Sequence, residues 1–122
     1  MITRFEELQA WQMARELTKR IYSATNSTVF ERDYRFRNQI RAASLSIGSN
    51  IAEGFERGSR QEFVRFLMIA KGSCAEVRSQ LYTALDVGHI DDKAFTTLLG
   101  YAEEVGKIIG GLRRSIIQKG KS

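Results

Sequence analysis

The stretch from Gln39 to Gly54 restricts the fold more than any other part of this chain. Ile40, Ala43, Ile47 and Ile51 recur at three- and four-residue steps, which places them on one stripe of a helix. Nearly everything beside that stripe is small: Ala42, Ser44, Ser46, Gly48, Ser49 and Ala52. So little bulk lets a neighbouring backbone come close, and the segment is expected at the centre of a helical assembly. Arg41, Asn50 and Glu53 lie within it, and each needs a partner if it is buried.

The rest of the chain permits the same reading. There is no proline in 122 residues, so the strongest interior helix breaker is missing throughout. That length fits one domain with a real core. The composition, 43% apolar and 27% charged, is that of an ordinary soluble globular protein. No window approaches the roughly 18 uninterrupted apolar residues of a membrane span, and the acidic start at Glu6 and Glu7 has no apolar signal region, so a cytoplasmic location is expected. Cys74 is the sole cysteine and reads as a buried structural thiol.

Four helices are predicted, over about 4–23, 31–57, 60–86 and 91–117, with capping boxes at Thr3/Glu6, Thr28/Glu31 and Ser59/Glu62. Leu8, Trp11, Ala14, Leu17 and Ile21 form the stripe of the first. Gly54 and Gly58 are expected to end the second. The third carries two stripes: Phe63, Leu67, Ala70, Cys74, Val77, Leu81 and Ala84, and beside it Phe66, Ile69, Ser73 and Glu76. A helix apolar on two faces has more than one surface to cover, which hints at oligomerisation. The fourth shows Phe95, Leu98, Ala102, Val105, Ile109, Leu112 and Ile116, with Gly88 as the preceding stop and Asp91 as its cap. Short connections between such helices give an all-α, up-down-up-down antiparallel four-helix bundle.

Charge is uneven along the chain. Residues 1–104 hold 14 Lys or Arg and 14 Asp or Glu, so the net +5 belongs to Lys107, Arg113, Arg114, Lys119 and Lys121. Arg113 and Arg114 are adjacent, and with Leu112 and Ile116 in the seam both are expected to meet solvent or a ligand. A second basic stretch, Arg32, Arg35 and Arg37, is interleaved with Tyr34 and Phe36, a pattern that grips RNA but also suits ordinary helix pairing. Catalysis finds little support. The single histidine, His89, has no cysteine cluster for zinc, no nucleophile has a plausible base, and no phosphate loop or Glu-x-x-His pair exists. No metal or cofactor is expected. Glu53 and Glu76 lie near apolar stripes; an acid/base pair is one reading, and a structural polar network with Arg41 and Asn50 is the preferred one.

Two motifs resemble a known family. Arg41 through Phe55, and Glu62 through Ser73 followed by Glu76, are similar to the signatures of the bacterial four-helix bundle proteins called 23S rRNA-intervening sequence proteins. Phe5 to Leu8 with Trp11 also fits, so the resemblance spans nearly the whole chain. Gly48 departs from it, since many relatives have proline there. The resemblance implies a small cytosolic bundle that assembles as a ring-like homopentamer, and it implies no particular biochemical activity. A similar fold occurs in the accessory proteins of diversity-generating retroelements, basic pentamers that associate with nucleic acid and reverse transcriptase. That kinship is fold-level analogy.

The leading reading is therefore a non-enzymatic homo-oligomer that binds RNA or another nucleic acid through Lys107, Arg113, Arg114, Lys119 and Lys121, with Arg32, Arg35 and Arg37 as a second patch. The alternative is a scaffold whose oligomer holds a partner protein.

Overall fold

The computed structural model describes residues 1–120, and those residues are all-α, with no strand. A 3-10 turn, Phe5–Glu7, is followed by α1 (Gln9–Ala24), a short α2 (Thr28–Arg32), α3 (Tyr34–Glu56), α4 (Arg60–Asp86) and α5 (Asp92–Gly120).

The opening differs from the expected helix over 4–23. Glu7, not Glu6, closes the first turn: its Oε1 accepts from Thr3 N at 3.0 Å, Thr3 Oγ1 at 3.1 Å and Arg4 N at 2.9 Å. Three donors on one carboxylate oxygen hold a tight turn that does not propagate. The backbone then extends at Leu8 (ψ 126) before α1 begins.

The second predicted helix is two helices. Ser27, not Thr28, is the cap: its Oγ accepts from Phe30 N at 3.4 Å, and α2 starts at Thr28, three residues ahead of the expected helix. Asp33, at φ −101 and ψ 60, then breaks the chain before α3. Phe30 and Phe36 are six positions apart and would not be neighbours on a straight helix. The break brings their rings to 5.7 Å. It also lets Asp33 Oδ2 reach His89 Nε2, 2.9 Å away in the α4–α5 turn.

Gly54 does not end α3. It is buried inside the helix, and a Cβ there would stand 2.5 Å from Phe66 Cβ on α4. The turn belongs to Gly58, whose φ of +80 is open to glycine and strained for other residues. Gly54→Ala is expected to lose stability. Overpacking costs ~1–3 kcal/mol, while leaving glycine in a helix returns up to about 1 kcal/mol. Gly48→Ala is the control, because its Cβ would meet Trp11 and Ala14 at ordinary contact distances of 3.7–3.8 Å. Chemical denaturation should move in opposite directions for the two variants. Equal or greater stability for Gly54→Ala would show that α3 and α4 separate there at no cost.

The long helices pack in a cycle: α3 lies between α1 and α4, and α5 closes against α4 and α1. Each packed pair runs in opposite directions. Along α3 and α4, Ser46 Oγ meets Ser73 Oγ at 3.0 Å while Gly54 lies against Phe66. Along α4 and α5, Cys74 Sγ donates to Ala102 O at 3.1 Å while Arg113 lies on Val64. Small side chains make these approaches possible, as Thr18 Oγ1 donating to Ser44 O at 3.0 Å shows between α1 and α3. The core holds Leu17, Ile21, Ile40, Ile47, Ile51, Leu67, Val77, Leu81, Val105 and Ile109, all essentially inaccessible. The central stretch is not enclosed on every side: Ala42, Leu45 and Ser49 stay exposed. Of the second stripe on α4, Phe66 is buried but Ile69 and Glu76 are not.

Candidate nucleic-acid interface

Seven residues are close to two helical turns, so Lys71 and Arg78 share one face of α4, and Lys107 and Arg114 share one face of α5. Because α4 and α5 are packed neighbours, the two faces meet along a cleft of about 260 Å³. Its floor is small: Cys74, Gly106 and Gly110. Glu103 is the one carboxylate that lines it, against four cations. Elsewhere Arg20, Arg57 and Arg65 are held by Glu16, Glu53 and Glu62. The cleft cations have no ion pair or hydrogen bond among the described residues. Burial pushes the Cys74 thiol up, with nearby Arg78 opposing, so the floor adds no negative charge at neutral pH. A cleft whose lining is net positive attracts a phosphate backbone.

Two of the cations expected from the sequence, Lys107 and Arg114, lie in this cleft. Arg113 does not, and the expectation that it is free is corrected: half-buried on α4, its Nε donates to Val64 O at 3.4 Å and its Nη2 lies 3.9 Å from Met68 Sδ. Adjacent helical residues point about 100° apart, so one arginine faces the cleft while the other crosses the seam. Lys119 lines a separate groove with Arg60, Phe63 and Ile116. Lys121 lies outside the described residues. Arg32 and Arg35 are exposed and Arg37 is half-buried, around the α2–α3 break and away from the cleft. Lys71 and Arg78 escaped sequence reasoning. Their seven-residue spacing was legible, but a tally along the chain cancelled them against acids that lie elsewhere in space.

Residues 6–111 match the family model described as 23S rRNA-intervening sequence protein. The chain belongs to that family. The region matching the 23S rRNA-intervening sequence family includes Lys71, Arg78, Lys107 and Gly110 of the cleft and stops before Arg114. A 1.70 Å crystal structure of a protein of unknown function from the S23 ribosomal protein family of Bacteroides thetaiotaomicron VPI-5482 has the same fold. The TM-score is 0.80 at 23% identity, over 86% of this chain and 95% of that one. No curated protein matches. Among the described residues no helix is long and apolar enough to cross a membrane, and no group of three His, Cys, Asp or Glu side chains could hold a metal ion.

Within the segments that resemble this family's signatures, the expected network of Arg41, Asn50, Glu53 and Glu76 is corrected to separate local arrangements. Arg41 Nε donates to Thr25 Oγ1 at 2.8 Å, and its guanidinium lies 4.4 Å from the centre of the Tyr22 ring, tying α3 to the end of α1. Asn50 Nδ2 donates to Ser46 O at 2.8 Å and to Ser46 Oγ at 2.9 Å, beside Ser73 of α4. Glu53 pairs with Arg57 at 2.9 Å on the surface. Glu76 is exposed. Arg41 and Asn50 are nine positions apart, which puts them on opposite sides of α3 facing different neighbours.

Proposed function

We propose that this chain acts by binding rather than catalysis, as a cytoplasmic, ring-like homo-oligomer, a pentamer, of up-down-up-down four-helix bundles that holds RNA or another nucleic acid on its basic surfaces. The α4–α5 cleft carries the reading, because it gathers four cations, unpaired among the described residues, from two helices over a floor that leaves room for a ligand. The opposed directions of packed helices support the bundle. Two apolar surfaces support the ring. One is a groove of about 300 Å³ between α1 and α3 that includes Phe5, Trp11, Leu45 and Gly48. The other is the exposed pair Met68 and Ile69 on α4. Different surfaces on one chain are what a head-to-tail ring needs. Fivefold repetition would multiply the phosphate contacts on one assembly.

Sedimentation equilibrium combined with RNA anisotropy tests both parts. The expected result is an assembly of several copies that binds a generic RNA and a 23S rRNA fragment, more weakly as salt rises. A 13.9 kDa monomer would overturn the ring. Binding to neither RNA at low salt would overturn the nucleic-acid reading and favour a scaffold for a partner protein.

A further inference from the structure

Gly110 lies buried on α5 beneath two side chains of the cleft. A Cβ added there would stand 3.4 Å from Lys71 Nζ and 3.4 Å from Arg114 Nη1. An ammonium from α4 and a guanidinium from α5 thus both approach the space that a side chain at position 110 would fill. Like charges repel, and neither cation has a carboxylate or hydrogen-bond partner among the described residues. An anion standing over Gly110 converts that repulsion into two charge-assisted contacts, with the planar arginine fork able to donate twice.

The geometry points to a phosphate seat over Gly110, held by Lys71 and Arg114, that grips the backbone of a nucleic-acid strand without reading its bases. This rests on the nucleic-acid reading proposed above. One feature favours a strand over an isolated phosphate ion, and another favours backbone contact over base contact. Arg78 and Lys107 lie further along the same cleft, each seven residues from its counterpart on the same helix, or about 10 Å at 1.5 Å per residue. A second phosphate of the same chain can be held there. The second feature is the lining itself, which contains no aromatic ring among the described residues. Single-strand binders commonly add aromatic side chains on which bases of any kind stack. Here the bases have no platform, and the contacts that remain go to phosphate, which carries no sequence information.

The test uses the full chain and fluorescein-labelled oligonucleotides of equal length: oligo-U, oligo-A and a mixed-sequence duplex. The parent should bind all three, with oligo-U and oligo-A within about threefold of each other. Lys71→Gln/Arg114→Gln should weaken single-strand binding by about 25-fold at about 0.1 M salt and lower the salt slope by about 1.4, from roughly 0.7 per lost contact. Arg32→Gln/Arg35→Gln removes the same charge away from the cleft and should cost much less. Equal losses for the two double variants would overturn the seat while leaving nucleic-acid binding intact, as would strong preference for one base. In a further arm, inorganic phosphate is compared with chloride at matched ionic strength. Tight displaceable binding of phosphate, with no binding of any oligonucleotide, would assign the seat to a free phosphate and overturn both the strand and the reading it rests on.

Discussion

Replacing Lys71, Arg78, Lys107 and Arg114 together with glutamine should weaken binding to single-stranded RNA by roughly 10²–10³-fold at about 0.1 M salt. Each phosphate contact contributes roughly 0.7 to the slope of log affinity against log salt, so four lost contacts should flatten it by about 2.8. The fold should survive. All four side chains are exposed and without a partner among the described residues, and surface substitutions of this kind usually shift stability by less than ~0.5 kcal/mol. The instructive comparison is the set chosen along the chain, Lys107, Arg113, Arg114, Lys119 and Lys121. That variant removes five charges but only two from the cleft, and it also strips Arg113 from its place on Val64 and Met68. It should lose less affinity and more stability. If it loses more affinity than the cleft variant, the C-terminal segment is the binding surface and the cleft is not.

Phe30→Ala should cost about 3–5 kcal/mol, the range for emptying a large aromatic site in a core. Phe30 is 1% exposed although it sits in a helix of five residues. Its ring lies 5.7 Å from that of Phe36 and edge-on to His89 at 5.0 Å, so one side chain joins α2, α3 and the α4–α5 turn. So short a helix has almost no stability of its own, which leaves little to hold α2 in place once the ring is gone. The melting temperature should fall by roughly 10–20 °C, at a few degrees per kcal/mol for a chain of this size. RNA binding measured well below the transition should persist, because the cleft lies on other residues. A loss of only a few degrees would show that α2 is an independent flap rather than part of the core.

Much of this protein is written in local pattern. The periodicity of Leu67, Ala70, Cys74, Val77, Leu81 and Ala84 needs only the pitch of a helix to predict which face of α4 is buried, and it is buried. Caps such as Ser59, whose Oγ accepts from Glu62 N at 3.1 Å, are equally local, since the donor lies three residues away. Small residues in the central stretch likewise announced close helix contact, because bulk that is absent needs no partner to be seen.

What the sequence could not supply was anything that depends on two distant segments meeting. Gly54 reads as a stop until Phe66 is known to press on it. The break at Asp33 is joined by a hydrogen bond to His89, which is 56 residues away. Arg41, Asn50, Glu53 and Glu76 share polarity and proximity to stripes, but the rotation of α3 sends Arg41 and Asn50 to opposite neighbours. The basic surface is the clearest case. Charge summed along a chain ignores distance, whereas the potential at a cleft depends on which side chains stand within a Debye length of it. Only the packing of α4 on α5 brings Lys71 and Arg78 beside Lys107 and Arg114, and only that packing turns Arg113 away.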